Sequence, residues 1–250
     1  MYFNDVNLIY YIAVAILGLF VGEFVNWMNK RLPEEKKVIS LDFFKEYKKN
    51  FKPNYILMVV TMLLYVAILY KCGIKNTLIE NLDLIKYLIL IPMLESVVVI
   101  DYKLQIIPNR LNLTLFEIGL VFTFLYGISN TAISINMFFG ALVGGGIFLA
   151  ITLLGGLFYG KEAMGLGDVK LMGALGLYFG IANIIVVSLV SFLIGAILSI
   201  LLIVTRIKKA DEYIPFGPFI VLGAFVSIFV PYDIIVELLK TIFTLGLFNK

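Results

Sequence analysis

Long runs of apolar residues, separated by short polar segments, constrain this chain more than any other feature of its sequence. A run of roughly 20 apolar residues is long enough to cross the hydrocarbon core of a bilayer as one α-helix. Such runs occur at about Leu8–Met28, Tyr55–Tyr70, Leu84–Ile100, Leu111–Tyr126, Ile135–Phe158, Leu171–Val204 and Ile214–Val230. Because 61% of the 250 residues are hydrophobic and 15% are charged, the sequence predicts an all-α polytopic membrane protein.

The sixth run is too long for one crossing. Leu171–Val204 holds about 34 residues, enough for two short crossings of about 17 residues each. We predict a turn near Gly180–Asn183 and therefore about eight transmembrane helices. A single crossing would place the basic segment around Arg206 outside the cell, against the usual bias of lysine and arginine. After the last crossing, Asp233–Lys250 is predicted to be an amphipathic tail.

The side of the membrane follows from the one long polar segment, Asn29–Asn54, which is rich in lysine. Loops with such an excess of positive charge stay in the cytoplasm, so the chain before the first helix is predicted to lie outside. Within this loop, Leu41–Tyr47 fits either a short surface helix or a solvated segment. Counting crossings from the loop puts Asp101 and Asp168 on the cytoplasmic side of the membrane.

The residue types that the chain lacks exclude several kinds of enzyme. There is no histidine, which removes Ser-His and Cys-His nucleophilic catalysis and the HExxH zinc proteases. The single cysteine, Cys72, allows no internal disulfide and no CxxC zinc site. The small net charge of +3 indicates no nucleic-acid surface. Acid-base chemistry in this chain therefore depends on aspartate, glutamate, lysine, tyrosine or serine.

Two aspartates at the ends of apolar runs are the candidate catalytic residues. Asp168 follows Gly165 and Gly167, which permit positive φ and the close approach of an extended substrate. Asp101 precedes Ile107-Pro108-Asn109, a predicted turn because proline disfavours a helix through that point. Taken singly, an aspartate at a helix end is more often a helix cap or a solvated loop residue than a catalytic group. The glycines are equally well explained by helix packing or by an N-terminal turn.

As a pair, the two aspartates suit hydrolysis. Two carboxylates held close together cannot both ionise, so they titrate as a unit that shares one proton. One aspartate then acts as a base on water while the other, protonated, donates to the scissile carbonyl. The sequence leaves open which residue has which role.

Four segments together resemble one known family. Gly165-Leu166-Gly167-Asp168-Val169-Lys170 is similar to the GxGDxK motif of type IV prepilin peptidases, which are intramembrane aspartyl proteases. Asp101 with Ile107-Pro108-Asn109 resembles that family's first aspartate motif. Tyr213–Phe219 resembles its IPFGPF segment, and Gly18–Pro33 resembles its GSFLN and RLP signature. The four segments occur in the family's order over nearly the whole chain.

The resemblance implies a function and a set of site residues. It implies an endopeptidase of the inner membrane that cleaves the leader from prepilin-like precursors at the cytoplasmic face, with no cofactor needed for cleavage. It also implies that S-adenosylmethionine is a candidate methyl donor for the new amino terminus. The residues that match the family's motifs are the catalytic Asp101 and Asp168, the positioning residues Pro108, Asn109, Gly165, Gly167, Lys170, Pro215 and Gly217, and the candidate methyl-transfer residues Gly22, Glu23 and Asn26.

The chain departs from the family's pattern near its N-terminus. Glu23 stands where the family usually has serine, and the cytoplasmic loop lacks the paired CxxC motifs that hold zinc in many bifunctional members. We therefore expect no bound metal. We divide the chain into residues 1–54, a helix with a short loop, and residues 55–250, the protease domain.

Two other functions remain open at the level of the sequence. A transporter or channel also carries intramembrane carboxylates and glycine-rich helices, although no inverted repeat is visible here. A methyltransferase without protease activity is a third reading. Glu95 and Glu117 lie inside apolar runs, where a charge is unfavourable, and we expect both, like Glu23, to be buried polar partners.

Overall fold

In the computed structural model, described residues cover 2–4, 6–38, 52–159, 164–207 and 214–244. They form eight helices: α1 (Leu8–Arg31), α2 (Tyr55–Cys72), α3 (Leu82–Leu104), α4 (Asn109–Ser129), α5 (Thr131–Tyr159), α6 (Leu166–Val204), α7 (Gly217–Phe229) and α8 (Tyr232–Phe243). A two-stranded antiparallel hairpin, β1 (Tyr2–Phe3) and β2 (Val6–Asn7), precedes them. The all-α membrane architecture is confirmed, and the small hairpin is an addition that the sequence did not predict.

Five of these helices are long and apolar enough to cross a membrane: α1, α2, α4, α5 and α6. Helices α3 and α7 do not belong to this group. Helix α3 carries charged residues, and helix α7 has only 13 residues. When the two halves of α6 are counted separately, a helix occurs at each of the eight predicted crossings. The predicted helix or loop at 41–47 lies outside the described residues.

The chain forms two compact units, Met1–Ile118 and Gly119–Lys250. In the first unit α1 packs against α2 through glycines. A Cβ added at Gly18 would lie 2.6 Å from the Met62 Cα, and one at Gly22 would lie 2.6 Å from the Met58 Cα. Small residues let helix backbones approach closely in lipid, where packing drives association. The residue number in α2 falls from Met62 to Met58 as the number in α1 rises from Gly18 to Gly22, so the two helices are antiparallel.

In the second unit α5 packs in the same way against the first half of α6. A Cβ at Gly140 would lie 2.5 Å from the Gly176 carbonyl oxygen, and one at Gly144 would lie 2.5 Å from the Met172 carbonyl oxygen. These pairs make α5 and the first half of α6 antiparallel. Gly140 and Gly144 of the fifth run therefore serve helix packing.

Gly180 divides α6 into two halves. Its φ of 70° and ψ of 179° are not helical, and positive φ is readily adopted by glycine. Beyond it, Ile184 contacts the position of a Cβ at Gly144, and Phe192 stacks on Phe148 with ring centroids 5.2 Å apart. The second half thus runs parallel to α5, so the chain has reversed direction at Gly180. The predicted turn is confirmed.

Three predicted boundaries need correction. Helix α3 continues to Leu104, so Asp101 lies in its last turn and not in the loop that follows. The predicted external loop between the fourth and fifth crossings shrinks to Asn130, whose side-chain oxygen accepts from the Ala132 N–H at 2.9 Å and begins α5 at once. Helix α7 begins at Gly217, later than predicted, because prolines precede and follow that residue.

The tail forms α8, which is amphipathic as predicted. Its buried residues Ile235 and Leu239 pack on Val186 and Val190 of the second half of α6. The opposite face carries exposed residues such as Asp233 and Lys240. Burial on one face explains why a 12-residue helix forms there, since isolated helices of that length are marginal in water.

We predict that Gly140→Ala destabilises the protein while Gly146→Ala does not. The methyl group at position 140 would collide with the backbone of Gly176 and Gly180, whereas a Cβ at Gly146 meets no atom within 4 Å. Overpacking of this kind costs about 1–3 kcal/mol. Thermal unfolding of the detergent-solubilised variants measures the difference, and equal midpoints for both would contradict the packing described here.

Candidate active site

Asp168 lies in the first turn of α6. Gly165 is the N-cap with extended φ and ψ of −71° and 143°, and its carbonyl oxygen accepts from the Asp168 N–H at 3.0 Å. A Cβ at Gly165 would lie 3.5 Å from Oδ2 of Asp168. A side chain at position 165 would therefore be in van der Waals contact with the carboxylate. Asp168 is 3% exposed.

Neither motif glycine uses positive φ. Gly165 is extended and Gly167 is helical, and the described glycines with positive φ are Gly73 and Gly180. The positive φ that glycine permits is therefore not used at these two positions. Close approach of an extended substrate stays a prediction.

The segment before α6 is attached to α5. The Thr152 hydroxyl donates to the Phe148 carbonyl oxygen at 2.9 Å and lies 3.4 Å from the carbonyl oxygen of Met164, which is itself buried. The antiparallel register that pairs Gly144 with Met172 places Phe148 level with Asp168. Helix α5 therefore holds in place the start of the helix that carries the candidate catalytic carboxylate.

An aromatic cluster brings the C-terminal motif to this level of the second unit. The Phe216 ring lies 6.0 Å from Phe148 and 5.3 Å from Phe192, and Phe219 meets Phe216 edge-on at 5.7 Å. Aromatic pairs at such distances stabilise by more than their buried area alone. The cluster consequently fixes Pro215 and Gly217, both buried, near the level of Asp168.

Asp101 lies in the last turn of α3 in the first unit. Its carbonyl oxygen accepts from the N–H of Gln105 at 2.9 Å, and Gln105 ends the helix with a left-handed φ of 57°. Asp101 is 3% exposed, as buried as Asp168. Acidic residues are rarely buried to this extent.

The predicted turn after Asp101 is confirmed. Pro108 is buried, and its carbonyl oxygen accepts from the N–H groups of Leu111 and Asn112 at 3.0 and 3.2 Å. Helix α4 begins at Asn109, which is exposed. Of the remaining motif residues, Lys170 is exposed on the first turns of α6, and Tyr213 lies outside the described residues.

A buried carboxylate secures α3 to α2. Glu95 is 5% exposed, and its Oε2 accepts a hydrogen bond from the Thr61 hydroxyl at 2.7 Å. Its Oε1 is buried, with no hydrogen-bond partner among the residues that the structure describes. The Tyr65 hydroxyl donates to the Leu88 carbonyl oxygen at 2.5 Å. These two bonds hold the helix that carries Asp101, and Glu95 is the buried polar partner that the sequence predicted.

The polar residues near the end of α1 hold the start of α2. Glu23 Oε2 accepts from the Asn54 N–H at 3.4 Å, and the Asn26 side-chain amide donates to the Lys52 carbonyl oxygen at 3.1 Å. Gly22 lets the Thr61 hydroxyl approach within 2.9 Å of where a Cβ would lie. Oε1 of Glu23 is buried and has no hydrogen-bond partner among the described residues. The three candidate methyl-transfer residues thus lie together on α1.

Glu117 was predicted to be a buried polar partner, and this prediction is wrong. It is exposed in the middle of α4, so it is not a buried partner of neighbouring helices. Periodicity marked the run as apolar but did not reveal which face Glu117 occupies. Sequence analysis also missed Thr61, Asn54 and Phe148, because each takes part in the site through a contact with a residue that is distant in sequence.

Among the described residues, no group of three or more acidic or cysteine side chains is placed to hold a metal ion.

We predict that Thr61→Val lowers stability and that Thr61→Val combined with Glu95→Leu recovers much of the loss. The single change leaves the buried carboxylate with no partner, which costs about 1–3 kcal/mol, whereas removing both polar groups avoids that penalty. Thr123→Val is the matched control, because the buried Thr123 hydroxyl bonds to the Gly119 carbonyl oxygen of its own helix. Thermal unfolding in detergent tests this, and equal losses at positions 61 and 123 would refute it.

Comparison with known proteins identifies the family. Residues 88–200 match the model of the type IV leader peptidase family. A prepilin leader peptidase/N-methyltransferase of Legionella pneumophila is 30% identical over 88% of this chain and 91% of its own length. One of Aeromonas hydrophila is 26% identical over 88% and 90%, and one of Escherichia coli strain K12 is 32% identical over 52% and 56%. No solved structure matches significantly. The chain is therefore an integral membrane enzyme that belongs to the type IV leader peptidase family.

Proposed function

We propose that this protein is an aspartyl endopeptidase that removes the leader from prepilin-like precursors, with Asp101 and Asp168 as its catalytic residues. The observation that carries the proposal is that both carboxylates are 97% buried at the ends of helices, within the motifs that match the family. Buried ionisable residues in membrane helices are functional candidates by default. The relatives' names give the substrate class: prepilins with a leader peptide.

The two aspartates occupy opposite kinds of helix end, and this supports a division of roles between them. Asp168 is the third residue of α6, where the partial positive charge of the helix N-terminus favours the carboxylate form. Asp101 is in the last turn of α3, where the partial negative charge of the C-terminus favours the neutral acid. We assign Asp168 as the general base and Asp101 as the general acid.

The reaction then proceeds with balanced proton transfers. Asp168 takes a proton from water, whose oxygen attacks the scissile carbonyl carbon, while Asp101 gives its proton to the carbonyl oxygen. Transfer of the proton held by Asp168 to the amide nitrogen breaks the carbon–nitrogen bond. Return of the hydroxyl proton to Asp101 as the carbonyl reforms restores the starting state. No metal ion is required in this scheme.

The lysine-rich segment between α1 and α2 supports a cytoplasmic location for the reaction. Positive charge is retained on the cytoplasmic side, and the crossings counted from this segment bring Asp101 and Asp168 to the same side. We propose that the protein resides in the inner membrane with its catalytic residues toward the cytoplasm. Membership of a peptidase family favours this function over the transporter and over a methyltransferase that lacks protease activity.

We predict that Asp101→Asn and Asp168→Asn each reduce leader cleavage by about a thousandfold, since an amide is nearly isosteric but neither takes nor gives the proton. Asp233→Asn is the matched control: Asp233 also lies in the first turn of an amphipathic helix, but it is exposed. Purified variants are incubated with a prepilin-type peptide and the product is identified by mass spectrometry. Substantial turnover by either active-site variant at any pH removes the mechanism.

Methyl transfer to the new amino terminus is a second proposed activity, supported by the names of the relatives. S-adenosylmethionine supplies a methyl group attached to a positively charged sulfur. Oε1 of Glu23, buried and without a hydrogen-bond partner in the described part of the chain, is a carboxylate oxygen suited to such a group. Glu23 shares α1 with Gly22 and Asn26. We propose that Glu23 contributes to holding the donor and that zinc is not involved, because the loop contains no cysteine or histidine.

We predict that methyl transfer from labelled S-adenosylmethionine to a cleaved substrate persists in the presence of a zinc chelator. Glu23→Gln, which removes the charge, is expected to lower methyl transfer about tenfold while cleavage is retained. Glu237→Gln on the exposed face of α8 serves as the control. Sensitivity to the chelator would contradict the zinc-free proposal, and the absence of any methylated product would leave the protein a peptidase alone.

A further inference from the structure

A cavity of about 470 Å³ lies in the first unit between the end of α1 and the start of α4. One wall is formed by Phe24, Met28 and Leu32, the other by Arg110 and the residues that follow it on α4, with Lys36, Lys37 and Val38 completing the lining. The cavity is separate from the polar contacts of Glu23, Glu95 and Asn26. Its volume lies in the range of small-molecule sites.

The lining has two chemically distinct parts. Apolar side chains form most of it: Met28 and Leu111 are buried, whereas Phe24 and Leu113 are 38% and 57% exposed. Lys37 and Arg110, both exposed, supply positive charge at the polar end. The cavity therefore combines a cationic end with a flank of exposed hydrocarbon.

The positive charge of this cavity is carried mainly by Lys37 and Arg110. Lys36 forms an ion pair with Glu34 at 2.6 Å. The hydrogen bond from Lys36 lowers the pKa of the Glu34 carboxyl, so both groups stay charged and their charges cancel. For Lys37 and Arg110, no ion pair is formed with the described residues. Within the described part of the chain, these two cations therefore remain to attract an anion.

We propose that this cavity binds an anionic phospholipid, with its phosphate at Lys37 and Arg110 and an acyl chain along Phe24 and Leu113. The position favours a lipid, since α1 turns from apolar to basic at Lys30 and Arg31, which marks the polar boundary of the bilayer. Basic pockets between membrane helices at this depth bind anionic headgroups.

Charge and shape argue against other occupants. A soluble phosphate would leave the apolar walls in contact with water, and burial of apolar surface is the larger favourable contribution for a site with such a lining. A basic peptide would be repelled by the two cations. A zwitterionic lipid carries the same phosphate but also a cationic group, so it gains less from Lys37 and Arg110.

The test compares lipids that share the same acyl chains and differ in the charge of the headgroup. The delipidated full-length protein in detergent is incubated with phosphatidylglycerol, with phosphatidylcholine of the same acyl chains, or with glycerol phosphate, and retained ligand is counted by native mass spectrometry. We expect preferential retention of phosphatidylglycerol. Lys37→Gln with Arg110→Gln should lower it about tenfold. Lys75→Gln with Arg206→Gln removes the same two charges elsewhere and should leave retention unchanged.

A second variant keeps the proposal testable if the double change impairs folding. Thr114→Glu places a carboxylate one helical turn after Arg110, at an exposed position in the cavity lining, and should lower retention of phosphatidylglycerol without removing a cation. Equal retention of the two lipids, equal retention by the double variant and the wild type, or strong retention of glycerol phosphate alone would each overturn the proposal. Thermal unfolding midpoints confirm that the variants compared are folded.

Discussion

Backbone hydrogen bonding in a medium without water is the constraint on which this structure depends. In the hydrocarbon core each N–H and C=O must be paired inside the protein, so the chain crosses as helices and changes direction only where another group supplies the missing partner. Gly180 is such a place. Its non-helical backbone interrupts the ladder, and Oδ1 of Asn136 on α5 accepts from the Ile181 N–H at 3.2 Å. A Cβ at Gly180 would lie 2.7 Å from Nδ2 of the same asparagine. The reversal therefore needs both glycine and Asn136.

That reversal has a direct consequence for the candidate site. Because the second half of α6 returns alongside α5, Phe192 in the middle of that half reaches the level of Asp168 at the start of the first half. The ring of Phe192 then meets Phe148 and Phe216, and the segment that opens α7 lies near the level of Asp168. Motifs separated by about 50 residues in sequence thus share one end of the second unit. Close glycine contacts along α5 keep the register in which this alignment holds.

The sequence predicted those features that depend on local pattern and failed where a distant contact decides. Length alone indicated two crossings in Leu171–Val204, and the rule for residues before proline predicted the turn at Pro108. The position of Asp101 inside α3 was missed, since hydropathy falls at a charged residue although the helix continues for another turn. Glu95 and Glu117 show the limit most clearly: both interrupt apolar runs, yet the first is buried against Thr61 and the second is exposed. Which face a carboxylate occupies depends on neighbours that no local pattern encodes.

The end of α1 holds both ends of the segment that leads into α2. The Trp27 indole N–H donates to the Val38 carbonyl oxygen at 3.1 Å, where the loop departs. Asn26 and Glu23 bind the backbone at Lys52 and Asn54, where the chain returns. One helix end thereby fixes both ends of the intervening segment, and closing a short loop carries a small entropic penalty. The hydrogen bonds from α1 therefore order the return of the chain into α2.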